Sequence, residues 1–154
     1  MAQSTTIATC TINEKYPMKN AYFLDTSYIL ALEIVNEDAH QKVLQSWLTL
    51  AQSKPYVFTT TYIFDETVTF FNSRNLHSKA IEVGERLLKS PDIELIQIDN
   101  NLFRLGWQYF KKYKDKSYSL TDCLSFVVME QQEIATALTL DRHFIQAGFQ
   151  VLPS

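Results

Sequence analysis

The chain is poor in the residues that punctuate and cross-link small folds: three Gly, four Pro and two Cys among 154 residues. So few Gly and Pro leave little turn chemistry for two-residue hairpins, which excludes a sandwich of many short antiparallel strands and leaves room for helices. The two thiols, Cys10 in the N-terminal segment and Cys123 inside an apolar helical pattern, cannot make a disulfide framework or a zinc site. Long apolar runs are missing too: no window approaches the roughly 18 uninterrupted apolar residues of a membrane span. The opening MAQSTTIATCTINEKYPMKN has no basic stretch followed by an apolar one. A cytoplasmic protein without membrane attachment is the expectation.

An apolar content of 46% over this length supports one well-buried core rather than two domains. Residues 1–18 are polar and are expected to be a flexible N-terminal extension, with residues 19–154 forming the single domain. The net charge of −3 argues neither for nor against a nucleic-acid partner, because setting aside the four acids discussed below leaves +1.

Helical and strand periodicities alternate along the chain. The run Ala21–Leu24 reads as a buried strand stopping at Asp25, with Thr26 and Ser27 able to cap a helix behind it. A helix after Asp38 carries Val43, Leu44, Trp47, Leu48 and Ala51. Tyr56–Thr60 is a second strand, feeding a helix over 62–72 that contains Glu66. A helix from Ser78, a third strand in IELIQI and a helix capped by Asp99 with Leu102, Leu105, Tyr109 and Phe110 as its stripe come next. A helix over 120–132, a strand IATALTL ending at Asp141, the short helix RHFIQA stopped by Gly148, and a last strand FQVLP complete the pattern. The stripes holding Trp47 and Trp107 are read as core. Strands separated by helices, without hairpin signals, imply an α/β fold: parallel strands, right-handed crossovers and helices on both faces.

Four acids stand at the ends of apolar runs or within them: Asp25, Glu66, Asp122 and Asp141. Scattered carboxylates gathered at the carboxyl edge of a parallel sheet are a way to hold Mg²⁺ or Mn²⁺ for phosphate chemistry. Taken singly, each has an ordinary reading. Ser119 three residues before Asp122 makes a capping box, and Asp25 and Asp141 suit helix caps. Glu66 lies among Tyr62, Ile63, Phe64, Val68, Phe70 and Phe71, where a charge needs a reason. Asp65 adjoins it, and only one of two neighbours about 100° apart on a helix can face a metal. Glu66 is favoured for its longer reach.

Taken together, DTS closing the first strand, a Glu inside the helix after the second, S-x-T-D opening a late helix and T-x-D-x-x-F after the next strand resemble the PIN-domain ribonucleases. The resemblance spans roughly residues 20–153. It implies a sheet of order 3-2-1-4-5 and Mg²⁺- or Mn²⁺-dependent hydrolysis of RNA through Asp25, Glu66, Asp122 and Asp141, with Thr26 and Thr121 as supporting hydroxyl residues. It also implies the role of a toxin in a toxin–antitoxin pair, with a homodimeric chain restrained by an antitoxin protein.

Lys111, Lys112, Lys114 and Lys116, interleaved with Tyr113, are candidates for RNA contact. A solvated helix end whose lysines complement the dipole is the preferred reading of that stretch. His40, His77 and His143 show no ligand spacing and are read as structural or surface residues. Two rivals to the nuclease reading are a catalytically silent domain of the same fold that binds RNA or protein, and a haloacid-dehalogenase-like phosphatase. The phosphatase chemistry expects a second Asp two residues after the first, where this chain has Ser27.

Overall fold

The computed structural model describes residues 19–154. The expectations for residues 1–18, Cys10 among them, lie outside the described residues. Five strands, β1 (Ala21–Leu24), β2 (Tyr56–Thr60), β3 (Ile93–Ile96), β4 (Thr136–Leu138) and β5 (Gln150–Leu152), form one sheet in the order β3-β2-β1-β4-β5. All four pairings are parallel, with Phe23 opposite Phe58 on one side and Ala137 on the other. The fold and strand order are those expected from the sequence.

Seven helices connect the strands: α1 (Thr26–Glu33), α2 (His40–Ala51), α3 (Thr61–Asn72), α4 (His77–Lys89), α5 (Asn100–Lys112), α6 (Leu120–Gln131) and α7 (Arg142–Gln146). From β1 the connections run outward through β2 to β3, then reverse across the sheet to β4 and β5. With right-handed crossovers, this sets α1 to α4 on one face and α5 to α7 on the other. The reversal makes the carboxyl ends of β1 and β4 the switch point, where a crevice opens because the chain leaves the two strands in opposite directions.

The inner strands are buried on both faces, which is why AYFL and YVFTT show no polar alternation. Phe23, Phe144 and Phe126 pack in succession across the α6 and α7 face, with ring centroids 6.2 and 5.0 Å apart. α5 and α6 approach so closely that a Cβ on Gly106 would lie 2.4 Å from Leu124 Cδ2, so a side chain there would force Leu124 to shift. Gly148 has φ +97° and ends α7, as its place after RHFIQA predicts.

Several expectations are corrected. Asp25, not Thr26 or Ser27, caps α1, since its carboxylate accepts from the Ser27 amide. Strand β4 is three residues long, and Asp141 caps α7 instead of closing the strand. Trp107 is 45% exposed and stacks on Phe110 outside the core, while Leu105 and Leu48 are also exposed. The reason is shared. One sheet face and one neighbouring helix can cover only a narrow stripe, which on α5 is Leu102 and Gly106 with Tyr109 packed beside them.

Candidate metal centre

The switch point collects three acids from three segments of the chain. Asp25 leaves β1 with its amide bonded to the Leu138 carbonyl of β4 at 3.0 Å, so the two strand ends are stitched together where the site begins. Its Oδ2 accepts from Ser27 Oγ and Thr139 Oγ1, both at 2.7 Å. Those hydroxyls lie 3.1 Å apart and also receive the Leu140 and Asp141 amides, each at 2.9 Å. The Asp25 carboxylate thus fixes the turn that leads into Asp141.

Asp122 is the third residue of α6 and completes a capping box with Ser119: its Oδ2 accepts from the Ser119 amide at 3.0 Å, and Ser119 Oγ accepts from its amide at 2.9 Å. Asp141 caps α7 through Oδ1, which accepts from the His143 amide at 2.9 Å. The His143 ring turns back so that Nδ1 is 3.0 Å from Asp122 Oδ2 and 3.5 Å from Asp141 Oδ1. One potential ligand atom from each of Asp122, Asp141 and His143 lies within 4.8 Å of the others.

Each acid is held through one oxygen. Among the described residues no hydrogen bond reaches the second oxygen of Asp25, Asp122 or Asp141. Asp25 is buried, and its carboxyl pKa is pushed up to about 6. Burial is the main cause, offset by the Ser27 and Thr139 hydroxyls and reinforced by the charges of Asp122 and Asp141. Beside it, Thr26 Oγ1 is buried with no hydrogen-bond partner among the described residues. Asp122 and Asp141 converge with His143, and Asp25 lies near enough to feel the charge of both acids; open carboxylate oxygens beside an orphaned hydroxyl are the donors that a hard divalent cation wants, and such an ion would offset the mutual repulsion.

The remaining sequence candidates stand apart. Glu66 is exposed on α3, whose buried face is Ile63, Thr67 and Phe71, and no described hydrogen bond or ion pair holds it. Of the apolar neighbours that surround it in the sequence, Ile63 and Phe71 turn into the core, while Glu66 turns to solvent. Thr121 offers its carbonyl to Ser125 Oγ at 2.9 Å and makes no described contact with the acids. Lys111 and Lys112 end α5, and Lys114 and Lys116 occupy the following turn, all exposed. His40 is buried against the Ala31 carbonyl at 2.8 Å and His77 bonds Asn72, as structural histidines do. The sequence reading missed His143. The available signal was its place two residues after a helix-capping Asp, which lets backbone and ring address two carboxylates at once.

A five-stranded parallel sheet of order 3-2-1-4-5 with carboxylates gathered beyond β1 and β4 defines a PIN-type nuclease fold. The chain belongs to the PIN domain family, whose profile matches residues 22–150. It is 29% identical over 127 residues to the 23S rRNA-specific endonuclease VapC20 of Mycobacterium tuberculosis, a match covering 82% of this chain and 94% of that protein. The crystal structure of VapC20, described as a Sarcin-Ricin loop cleaving toxin, superposes with a TM-score of 0.74 at 28% identity, covering 83% of this chain and 95% of that one. VapBC2 from Rickettsia felis bound to a promoter DNA fragment (TM-score 0.63, 13% identity, 85% and 96% covered) shares the fold. So does FitAcB from Neisseria gonorrhoeae (0.60, 20%, 84% and 95% covered). Among the described residues no helix is long and apolar enough to cross a membrane.

Proposed function

We propose that this chain is an endoribonuclease that hydrolyses RNA phosphodiester bonds with Mg²⁺ or Mn²⁺ held by Asp25, Asp122 and Asp141. The observation that carries the reading is the pairing of Asp122 with Asp141, beside the buried Asp25, each acid anchored through one oxygen, at the switch point of a PIN-domain sheet. When bound, the ion supplies a water acidic enough to attack phosphorus at neutral pH and positive charge for the phosphate and the leaving 3′ oxygen. The chain's own residues do the positioning. Ser27 and Thr139 hold Asp25, the Ser119 cap holds Asp122, and α7 holds Asp141, so the open oxygens are set before substrate arrives.

Glu66, placed by motif, is the fourth acid of this proposal. Its unheld side chain can swing toward the ion from α3. Thr26 supports from the start of α1, and Thr121 beside Asp122. The lysines at the end of α5 precede the Asp122 helix and would steer the RNA backbone electrostatically. A toxin role follows from the likeness to VapC20: an antitoxin partner restrains the enzyme, a homodimer is the working unit, and the cytoplasm is where it meets RNA.

The test is cleavage of RNA, with a stem-loop from large-subunit ribosomal RNA among the substrates, with and without chelator. Cleavage is expected only with Mg²⁺ or Mn²⁺, and Asp122→Asn should slow it by about 10²- to 10³-fold. Cleavage indifferent to chelator defeats the mechanism. Hydrolysis of a small phosphomonoester with RNA left intact points instead to a phosphatase.

A further inference from the structure

His143 is absent from the family motif that led to the acids, yet it is the side chain that ties two of them together. We infer that His143 is a positioning residue of the metal centre: its Nδ1–H orients the Asp122 carboxylate so that the open oxygen faces the ion. This rests on the metal-centre reading proposed above.

Three observations support it. A carboxylate oxygen can only accept, so the 3.0 Å contact to Asp122 Oδ2 requires hydrogen on Nδ1. That same oxygen already receives the Ser119 amide, so two donors fix it and leave the other for a ligand. The ring is itself constrained: the His143 amide bonds Asp141 Oδ1, and the Tyr118 ring meets the imidazole edge to face at 5.3 Å. Asp141 therefore sets where His143 begins and Tyr118 how it lies, which couples Asp141 on α7 to Asp122 on α6 through one imidazole. Donors behind metal-binding carboxylates are worth about 10- to 100-fold in affinity. An imidazole that ligated the ion through Nδ1 would instead have to give up this bond.

The experiment is Mn²⁺ binding by the whole chain, read from the electron paramagnetic resonance signal of free Mn²⁺, with no RNA present. His143→Ala should weaken Mn²⁺ binding by about 10- to 100-fold, and its melting temperature in chelator should match wild type. His143→Asn places an amide N–H where Nδ1–H lies and should restore binding to within about threefold, whereas the longer His143→Gln should not. If the alanine form melts lower without ion, the asparagine–glutamine contrast alone carries the test. Wild-type affinity in His143→Ala, equal weakness in the asparagine and alanine forms, or a directly coordinated nitrogen in the pulsed spectrum of the Mn²⁺ form would each overturn the inference. Wild type that binds Mn²⁺ but cleaves no RNA would defeat the ribonuclease reading and leave this one standing.

Discussion

Each carboxylate beyond β1 and β4 has a protein donor within 3.0 Å, whereas Glu66, on the helix that follows β2, has none among the described residues. The first region is buried or half-buried and stitched across three elements; the second is one exposed side chain on a regular helix. Burial raises the cost of charge, so the buried Asp25 carboxylate leans on the fixed Ser27 and Thr139 donors, while Glu66 stands in water. The first region is a preorganised seat. The second is an exposed side chain that would have to give up entropy to join it.

The largest expected effect breaks the seat itself. Asp25→Asn should abolish metal-dependent cleavage and yet stabilise the ion-free protein. The folded Asp25 carboxyl has its pKa raised from 3.8 to about 6, so its contribution to stability is fully present below about pH 4 and is lost as pH rises through 6. At pH 7 that loss is at most about 3 kcal/mol, and the asparagine can still accept from Ser27 and Thr139. Thermal melts in chelator should show wild type losing stability between pH 4 and 7 relative to Asp25→Asn, with the order reversed by Mg²⁺. Parallel profiles would mean that the site is not electrostatically strained.

Glu66 sharpens the comparison from the other side. Glu66→Gln should lower cleavage by about tenfold and leave the ion-free melting temperature within the small range of surface substitutions. Asp65→Asn, one position around the helix, should change cleavage by no more than about twofold. Full activity in Glu66→Gln would confine the centre to the acids beyond β1 and β4. A larger loss in Asp65→Asn would move the fourth acid back one residue.

A smaller effect than that of Glu66→Gln is expected at the basic turn after α5. Replacing Lys112 and Lys114 with Ala should lower cleavage a few-fold at low salt and flatten its dependence on salt by about one to two units of logarithmic slope. An unchanged salt dependence would return these lysines to their role as a solvated end of α5.

The amino-acid order alone determined the elements, because strand and helix periods, caps and breakers are local. Ala21–Leu24 and Tyr56–Thr60 begin and end where the sequence reading sets them, and Asp99 caps α5 through the Leu102 amide as its position indicates. Parallel pairing followed from the absence of hairpins. The acids at the strand ends could be named for the same local reason, since Asp25 and Asp141 each stand at a change of period. Burial on α5 could not be read so well. Trp107 and Leu105 have the spacing and chemistry of core residues, and only the width of the neighbouring surface leaves them in solvent.

What the tertiary structure decided is which side chains share an oxygen. Thr139 reaches Asp25 across 114 positions because parallel strands β1 and β4 bring two distant loops to one edge, and His143 reaches Asp122 across 21 because α7 packs against α6. No local pattern carries such a distance. The sequence specified a set of acids and the sheet on which they ride. Which of them lean on common donors, and that Glu66 stands apart in solvent, depended on how the helices pack over that edge, because a hydrogen bond is settled within a fraction of an ångström and local sequence preferences are not.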